Sequence, residues 1–293
     1  MSGFKTKINN ALGPYLQYVL NVLNDKQYLS LKYYSRFGKK INWKNPQTFN
    51  EKLNWLKLYY HAPKLTTMAD KYAVKGLVAN AIGQEYVVSC YGVYNDFDEI
   101  DFNLLPNQFV IKATHDSSGA TVCRDKSQFD IEVAKAKFEM VMKRNWYYSS
   151  REWVYKNIPP RIIVDKFLDD GREGELQDYK FWCFNGEPRL MYITNKGKNI
   201  YENFYDMDFK PVEVNHGFPR SMPEYEKPKG FETMKDLAEK LSKGIPFVRV
   251  DFFEVGDKVY FGEFTFYDWA GLRPFADERW DRELGEWISL PSV

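Results

Sequence analysis

The chain is poor in the residues that build covalent and metal scaffolds. Its 293 residues include three cysteines and three histidines. Cys90, Cys123 and Cys183 are too few and too widely spaced for a disulfide framework or a Cys-x-x-Cys metal knuckle, which points to a reducing compartment and hence to the cytoplasm. Charge of one sign is also lacking: 41 basic against 40 acidic residues leave a net +1, so no general field gathers nucleic acid and any polyanion site must be local. Long hydrophobic runs are absent. The most apolar N-terminal stretch, residues 14 to 23, is too short to span a bilayer, and no cleavage-type segment follows it. It reads as a core-facing helix, with peripheral membrane contact as the alternative. There is no Gly-x-x-x-x-Gly-Lys-Ser/Thr loop, no Gly-x-Gly-x-x-Gly fingerprint and no His-Arg-Asp kinase loop, which disfavours the common nucleotide folds. No Ser-His-Asp or Cys-His set and no internal repeat stands out.

What is present is a globular composition, 44% hydrophobic and 17% aromatic, able to bury a substantial core. Residues 1 to 84 read as helical. Thr48-Phe-Asn-Glu51 is a capping box opening a helix to about Tyr60, and a second start near Thr67 to Asp70 opens a helix running to Ile82, with Gly83 as a left-handed stop. From Glu85 short β-rich runs follow at 86–91, 108–113 and 120–123, then a helix over 127–144 with a Ser-x-x-Asp start. Arg161 to Leu168 is the next strand. Residues 178–184 and 189–194 flank Asn185-Gly186, and 247–255 and 258–265 flank Gly256-Asp257, so both pairs read as hairpins. Between them lie a helix over 231–243, stopped by Gly244, and a Pro-rich surface connection at 219–230. The expected division is a helical region 1–84, a small lobe 85–160 and a large lobe 161–293.

Two segments carry chemistry. In the first, a strand ends in Lys112 and enters a loop holding His115, Ser117, Ser118 and Gly119; an ammonium beside free loop amides can cradle phosphate, although the plainer reading is an edge-strand lysine next to a turn. An isolated loop histidine such as His115 is more often simply solvated. In the second, Arg249-Val-Asp251 and Gly262-Glu263-Phe-Thr265 place an arginine and two carboxylates on adjoining strands. Such carboxylates coexist only with a cation or proton between them, and Arg249 shares a face with Asp251. A surface hairpin of alternating charge is the structural alternative. Asp178 and Lys180 share one strand face and read either as a ligand pair or as an ion pair.

The order of these parts resembles the ATP-grasp fold, and the wording is similar to its TupA-like branch. The residues concerned are Pro46-Gln-Thr-Phe-Asn-Glu-Lys-Leu-Asn-Trp55, Asp70-Lys-Tyr72, Phe109-Val-Ile-Lys112, Asp178-Tyr-Lys-Phe-Trp-Cys-Phe-Asn-Gly186, Val248-Arg-Val-Asp-Phe252 and Tyr260-Phe-Gly-Glu-Phe-Thr-Phe266. The resemblance implies an α+β fold of two lobes around a nucleotide cleft with a helical N-terminal extension. ATP would be held by Lys71, Lys112, the loop residues Ser117, Ser118 and Gly119, a hinge of Asp165, Lys166, Phe167 and Leu168 along the adenine, and Asp178. Mg²⁺ would be held by Asp251, Glu263 and Thr265, a hydroxyl replacing the amide of the more usual Glu-x-Asn. Arg249 and Lys180 would act in catalysis, and Asp268, Trp269 and Arg273 on the substrate.

The family is associated with bacterial capsule, teichuronopeptide and surface polysaccharide synthesis. The implied activity is an ADP-forming carboxylate–amine ligase that works through an acyl phosphate and amidates a uronic acid or similar carboxylate. Its partners would be a small carboxylate and an amine, with no nucleic acid, and peripheral association with membrane polysaccharide machinery. Aromatic residues Trp146, Tyr147, Tyr148 and Trp153 suit either sugar stacking or packing. Two rival readings are a metal-dependent glycosyltransferase, using Asp96-Phe-Asp98 or Asp206-Met-Asp208, and a non-catalytic scaffold.

Overall fold

The computed structural model describes residues 22–117, 119–171, 176–194 and 200–292. Among the described residues the N-terminal region holds α1 (Asp25–Phe37), α2 (Phe49–Tyr59), α3 (Pro63–Ala69) and α4 (Ala73–Ile82); the apolar stretch at 14–23 lies almost wholly outside them. The capping box of α2 forms: Thr48 accepts from the Glu51 amide and the Glu51 carboxylate accepts from the Thr48 amide. The helix expected to start near Thr67 to Asp70 starts at Ala73, where the Asp70 carboxylate accepts from the Tyr72 and Ala73 amides, and the short α3 precedes it. Lys71 therefore sits in the link between helices. Gly83 ends the helix at φ +121° and ψ 149°, a positive φ that favours glycine, although not the left-handed helical geometry.

A first sheet comprises β1 (Cys90–Tyr94), β2 (Phe109–Ala113), β3 (Thr121–Cys123) and, after α5 (Ile131–Met142) and α6 (Tyr147–Ser150), β4 (Ile162–Lys166). Its order is β1-β4-β2-β3, antiparallel throughout. Two expectations shift here. The strand expected at 86–91 begins at Cys90, after a 3-10 turn at Gln84–Tyr86, and α5 is capped by Asp130, whose carboxylate accepts from the Val133 amide, rather than by Ser127. β4 pairs with both β1 and β2, so the strand that the 160/161 boundary assigns to the large lobe belongs to this sheet. Phe97, Phe109, Ile111, Phe138, Ile162 and Val164 form its own core against α5.

The second sheet contains β5 (Asp178–Phe184), β6 (Glu187–Thr194), β7 (Glu202–Tyr205), β8 (Pro211–Val212) and, after α7 (Phe231–Ser242), β9 (Phe247–Val255) and β10 (Lys258–Thr265); α8 (Glu278–Glu286) closes the chain. Its order is β10-β9-β5-β6-β7-β8. Both expected hairpins form. Asn185 and Gly186 take φ +53° and +92°, the positive pair that a two-residue turn requires. α7 crosses β5, β6 and β9, burying Phe231, Met234, Leu237 and Leu241. α2 packs at the other side, where Phe49 stacks on Trp182 at 5.2 Å.

Candidate active site

One wall of the site comes from the first sheet and the α3–α4 link. Lys112 projects from β2, and its Nζ lies 3.0 Å from Asp165 Oδ2 on β4. Lys75, on α4, lies 3.0 Å from the other oxygen of the same buried carboxylate and donates to the Val88 carbonyl at 2.8 Å. Asp165 thus holds two ammonium groups side by side. Lys71 donates to the Asp116 carbonyl at 2.5 Å, and burial pulls its pKa down while Glu263 pushes the other way. The link that carries Lys71 is pinned by Asp70, which pairs with Arg161 at 2.7 Å. Ser117 and Gly119 lie in the exposed loop after β2, Gly119 at φ +92° with open space around it; Ser118 falls outside the described residues.

The opposite wall is the β5–β9–β10 surface. Lys180 stands opposite Asp251 in register, and its Nζ lies 2.6 Å from Asp178. On β10, Gly262 and Glu263 together oppose Asp251, a bulge that turns Glu263 towards that carboxylate. A side chain at Gly262 would place its Cβ 3.0 Å from the Asp251 carbonyl, so the close approach of the strands favours glycine. Arg249 forks onto Asp251 with two bonds of 2.7 Å, and reaches Glu263 at 3.2 Å and Asp268 at 2.6 Å. Burial pushes the Asp251 carboxyl up to about 6, against the opposing pull of Arg249 and Lys180.

The two walls enclose one cavity of about 260 Å³, lined by Lys71, Lys75, Lys112, Ser117, Gly119, Asp165, Asp178, Asp251 and Glu263. Met68, Val74, Val88, Phe253 and Phe261 add apolar surface. Arg249 and Lys180 stand behind this lining, bonded to the carboxylates that form it. Of the expected hinge only Asp165 reaches the cavity, and its carboxylate is engaged by lysines; Lys166 is exposed and Phe167 lies under Arg124, 5.1 Å from the guanidinium. Thr265 stands opposite Arg249 in register and is not part of the lining. Among the described residues no group of three or more acidic, histidine or cysteine side chains is placed to hold a metal. Two carboxylates facing one cavity nevertheless suit Mg²⁺, which takes one or two protein carboxylates and completes its shell with water and phosphate oxygens.

Behind Arg249 lies a second, buried polar cluster. Asp268 is fully buried with Tyr192 and His216 beside it, so it is not the open acceptor group expected. Burial pushes the Glu202 carboxyl up to about 8 and the His216 imidazole down to about 4. Arg273 is sandwiched between Phe218 and Trp269, 3.8 and 4.0 Å from the ring centres, and Trp269 is 48% exposed. Lys75, Tyr155, Glu202, His216 and Tyr192 carry no motif in the sequence; the four-residue spacing of Lys75 from Lys71 is the one signal that could have paired them.

Other candidates resolve into local structure. Asp96 caps the turn at Asp98, which pairs with Lys135, and Asp206 caps Asp208 and Lys210, so neither Asp-x-Asp forms a cation site. His115 is buried rather than solvated, its ring 3.2 Å from the Val141 carbonyl, and burial lowers its pKa. Tyr147 bonds Asp25 at 2.5 Å and Trp153 stacks on His61, which makes both packing elements.

Comparison with known proteins yields no match among curated proteins. Among solved structures, D-alanine–D-alanine ligase from Helicobacter pylori is 14% identical with a TM-score of 0.44, covering 82% of this chain and 69% of that one. The ATP complex of the Bacillus anthracis ligase gives 13%, 0.39, and 69% and 56%. The ATP-grasp ligase PsnB with a minimal precursor gives 11%, 0.41, and 74% and 60%. The chain thus spans less than two thirds of the length of the latter two. Residues 51–289 match the family described as TupA-like ATPgrasp, a span that contains both walls of the cavity. The chain therefore belongs to the TupA-like ATP-grasp family and has its α+β ATP-grasp fold.

Proposed function

We propose that this protein is an ATP- and Mg²⁺-dependent carboxylate–amine ligase that forms ADP. The observation that carries the reading is the convergence of Lys71, Lys75 and Lys112 with Asp251 and Glu263 on one cavity, with Arg249 bonded directly behind. The three ammonium groups and the amides around Ser117 and Gly119 hold the polyphosphate. Asp251 and Glu263 would hold Mg²⁺, which when bound would neutralise phosphate charge. Arg249, bonded to both carboxylates, stabilises charge on the transferring phosphoryl group, and Lys180 fixes the Asp178 and Asp251 surface. A substrate carboxylate oxygen attacks the γ-phosphorus as the bond to ADP breaks. The amine nitrogen then attacks the acyl carbon, phosphate leaves, and a proton is lost from nitrogen. Positioning and electrostatics supply the acceleration, and no protein nucleophile is needed.

The carboxylate is proposed to be a uronic or similar acid of a surface-polysaccharide precursor and the amine an amino acid, met in the cytoplasm at the membrane-bound polysaccharide machinery. Trp269 and Arg273 lie on the acceptor side of Arg249 in this reading. Among the described residues no helix is long and apolar enough to cross a membrane. The test is to supply ATP, Mg²⁺ and panels of uronic acids and amines. ADP and phosphate are expected only when both partners are present; release of UDP from a sugar nucleotide without ATP consumption would sink the ligase reading.

A further inference from the structure

α2 is buried on nearly every side, yet Asn50, Asn54 and Lys57 recur on one of its faces at spacings of four and three, each at most 1% exposed. A buried polar stripe on a helix must find partners. All three reach a single short segment. Asn50 Nδ2 donates to the Arg273 carbonyl at 3.1 Å, Asn54 Nδ2 to the Gly271 carbonyl at 2.7 Å, and Lys57 Nζ to the Ala270 carbonyl at 2.6 Å. That segment is a left-handed turn, with φ +47° at Trp269, +56° at Ala270 and +58° at Gly271. Consecutive left-handed residues that are not glycine persist only where surroundings over-determine them. Packing adds to the grip: a side chain at Gly271 would place its Cβ 2.9 Å from Leu53 Cβ and 3.0 Å from Asn54 Nδ2.

The turn begins directly after Asp268, whose Oδ1 lies 2.6 Å from Arg249 Nη1, with the Tyr192 hydroxyl 3.2 Å from the same nitrogen. Arg249's other carboxylate partners, Asp251 and Glu263, both line the cavity, whereas Asp268 does not. A cation held by Asp251 and Glu263 would compete with Arg249 for their oxygens, whereas Asp268 lies outside the cavity lining and would not be a ligand.

We infer that Asp268 is the positioning residue for Arg249, and that the Asn50–Asn54–Lys57 stripe of α2 sets it by clamping the left-handed turn at 269–271. The N-terminal helices are then part of the active-site framework rather than an appendage. This rests on the ligase reading for its kinetic limb but not for its structural one.

The test uses the full chain and the variants Asp268→Asn, Gly271→Ala, Asn54→Leu and Lys57→Met. Two readouts are taken: crystal structures with and without Mg²⁺ and AMP-PNP, and kcat against KM for ATP with the carboxylate–amine pair that supports wild-type turnover. Asp268→Asn is expected to lower kcat about 100-fold, the size of a lost transition-state contact, with KM for ATP changed less than about threefold. The turn and helix variants should lower kcat by about tenfold or more through misplacement and lengthen the Arg249–Asp268 contact beyond hydrogen-bonding distance. Equal changes in kcat and KM, or an unmoved Arg249 with wild-type kcat, would overturn the inference. If Asn54→Leu or Lys57→Met fails to fold, the isosteric Asp268→Asn and the single added methyl of Gly271→Ala decide it. If no substrate pair supports wild-type turnover, the ligase reading fails, while the position of Arg249 in the crystals still decides the clamp.

Discussion

Asp165→Asn tests whether the lysine wall is built by geometry or merely by charge. The Asp165 side chain is 3% exposed and holds Lys75 and Lys112 at 3.0 Å each, and those lysine side chains are 17% and 28% exposed. Removing one partner of a fully buried pair costs about 3–5 kcal/mol, and an exposed pair contributes about 0–1 kcal/mol. Lysines that can partly rehydrate fall between, so about 2 kcal/mol of stability should be lost, a melting shift of roughly 3 °C for a chain of this size. Nucleotide binding gives the sharper test, because two effects oppose. Deleting a negative charge beside a polyphosphate site would by charge alone tighten binding, by less than about 1 kcal/mol after screening. Releasing two lysines from their fixed positions weakens charge-assisted contacts worth about 1.5–3 kcal/mol each. A net weakening of about tenfold in Kd for AMP-PNP, measured by calorimetry at fixed ionic strength, is expected. Tighter binding with an unchanged melting temperature would refute the view that Asp165 positions the phosphate-facing lysines.

Three further outcomes follow from the site. Glu263→Gln should abolish turnover, by about 1,000-fold or more, while leaving the melting temperature within a few degrees, because its side chain is 46% exposed; near-normal activity in this variant would remove it from the metal site. Glu202→Gln should flatten the pH dependence of stability: the folded carboxyl, raised by burial to about 8, lies above its unfolded value, so wild-type stability is full in acid and falls as pH rises towards 8, whereas the amide has no proton to lose. Parallel melting curves for the two proteins from pH 5 to 9 would contradict this. For Lys57 the sign reverses, since burial lowers its pKa to about 8; its contribution should grow as pH rises from 8 towards 10, and Lys57→Met should show no such rise in urea denaturation.

The elements most legible in the sequence are those whose signals are local. Asn185-Gly186 and Gly256-Asp257 mark hairpins because few residues accept positive φ, and Thr48 with Glu51 closes a capping box within four residues. β7 and β8 left no such mark. Glu202 and Asn203 are polar residues buried in the middle of a fold, and their strand exists because β6 offers a ladder, not because the segment prefers one. The restart at α4 was legible as a helix start near Thr67 to Asp70, but the short α3 before it was not, and its end is set by the Asp70 side chain, which caps α4 and is pinned by Arg161.

In the site, the charged residues were legible but their pairing was not. Lys112 and Asp165 are 53 positions apart, and nothing in either neighbourhood says that β2 and β4 lie side by side, so Asp165 read as part of a hinge when its carboxylate is a clamp for two lysines. Lys75 drew no reading, because a lysine on a helix face is almost always solvated and nothing near it in the chain points to Asp165. Arg249 was correctly placed on the face of Asp251 by the period of two, but Asp268 comes after the strand ends, where that period no longer applies. Its inward direction is set by a left-handed turn at Trp269 and Ala270, residues whose identity disfavours such a turn, and by carbonyl contacts from a helix more than 200 positions earlier in the chain. Local preference and observed backbone conflict there, next to the arginine whose alignment the chemistry requires. Held strain of that kind requires a clamp, and the buried stripe on α2 supplies one.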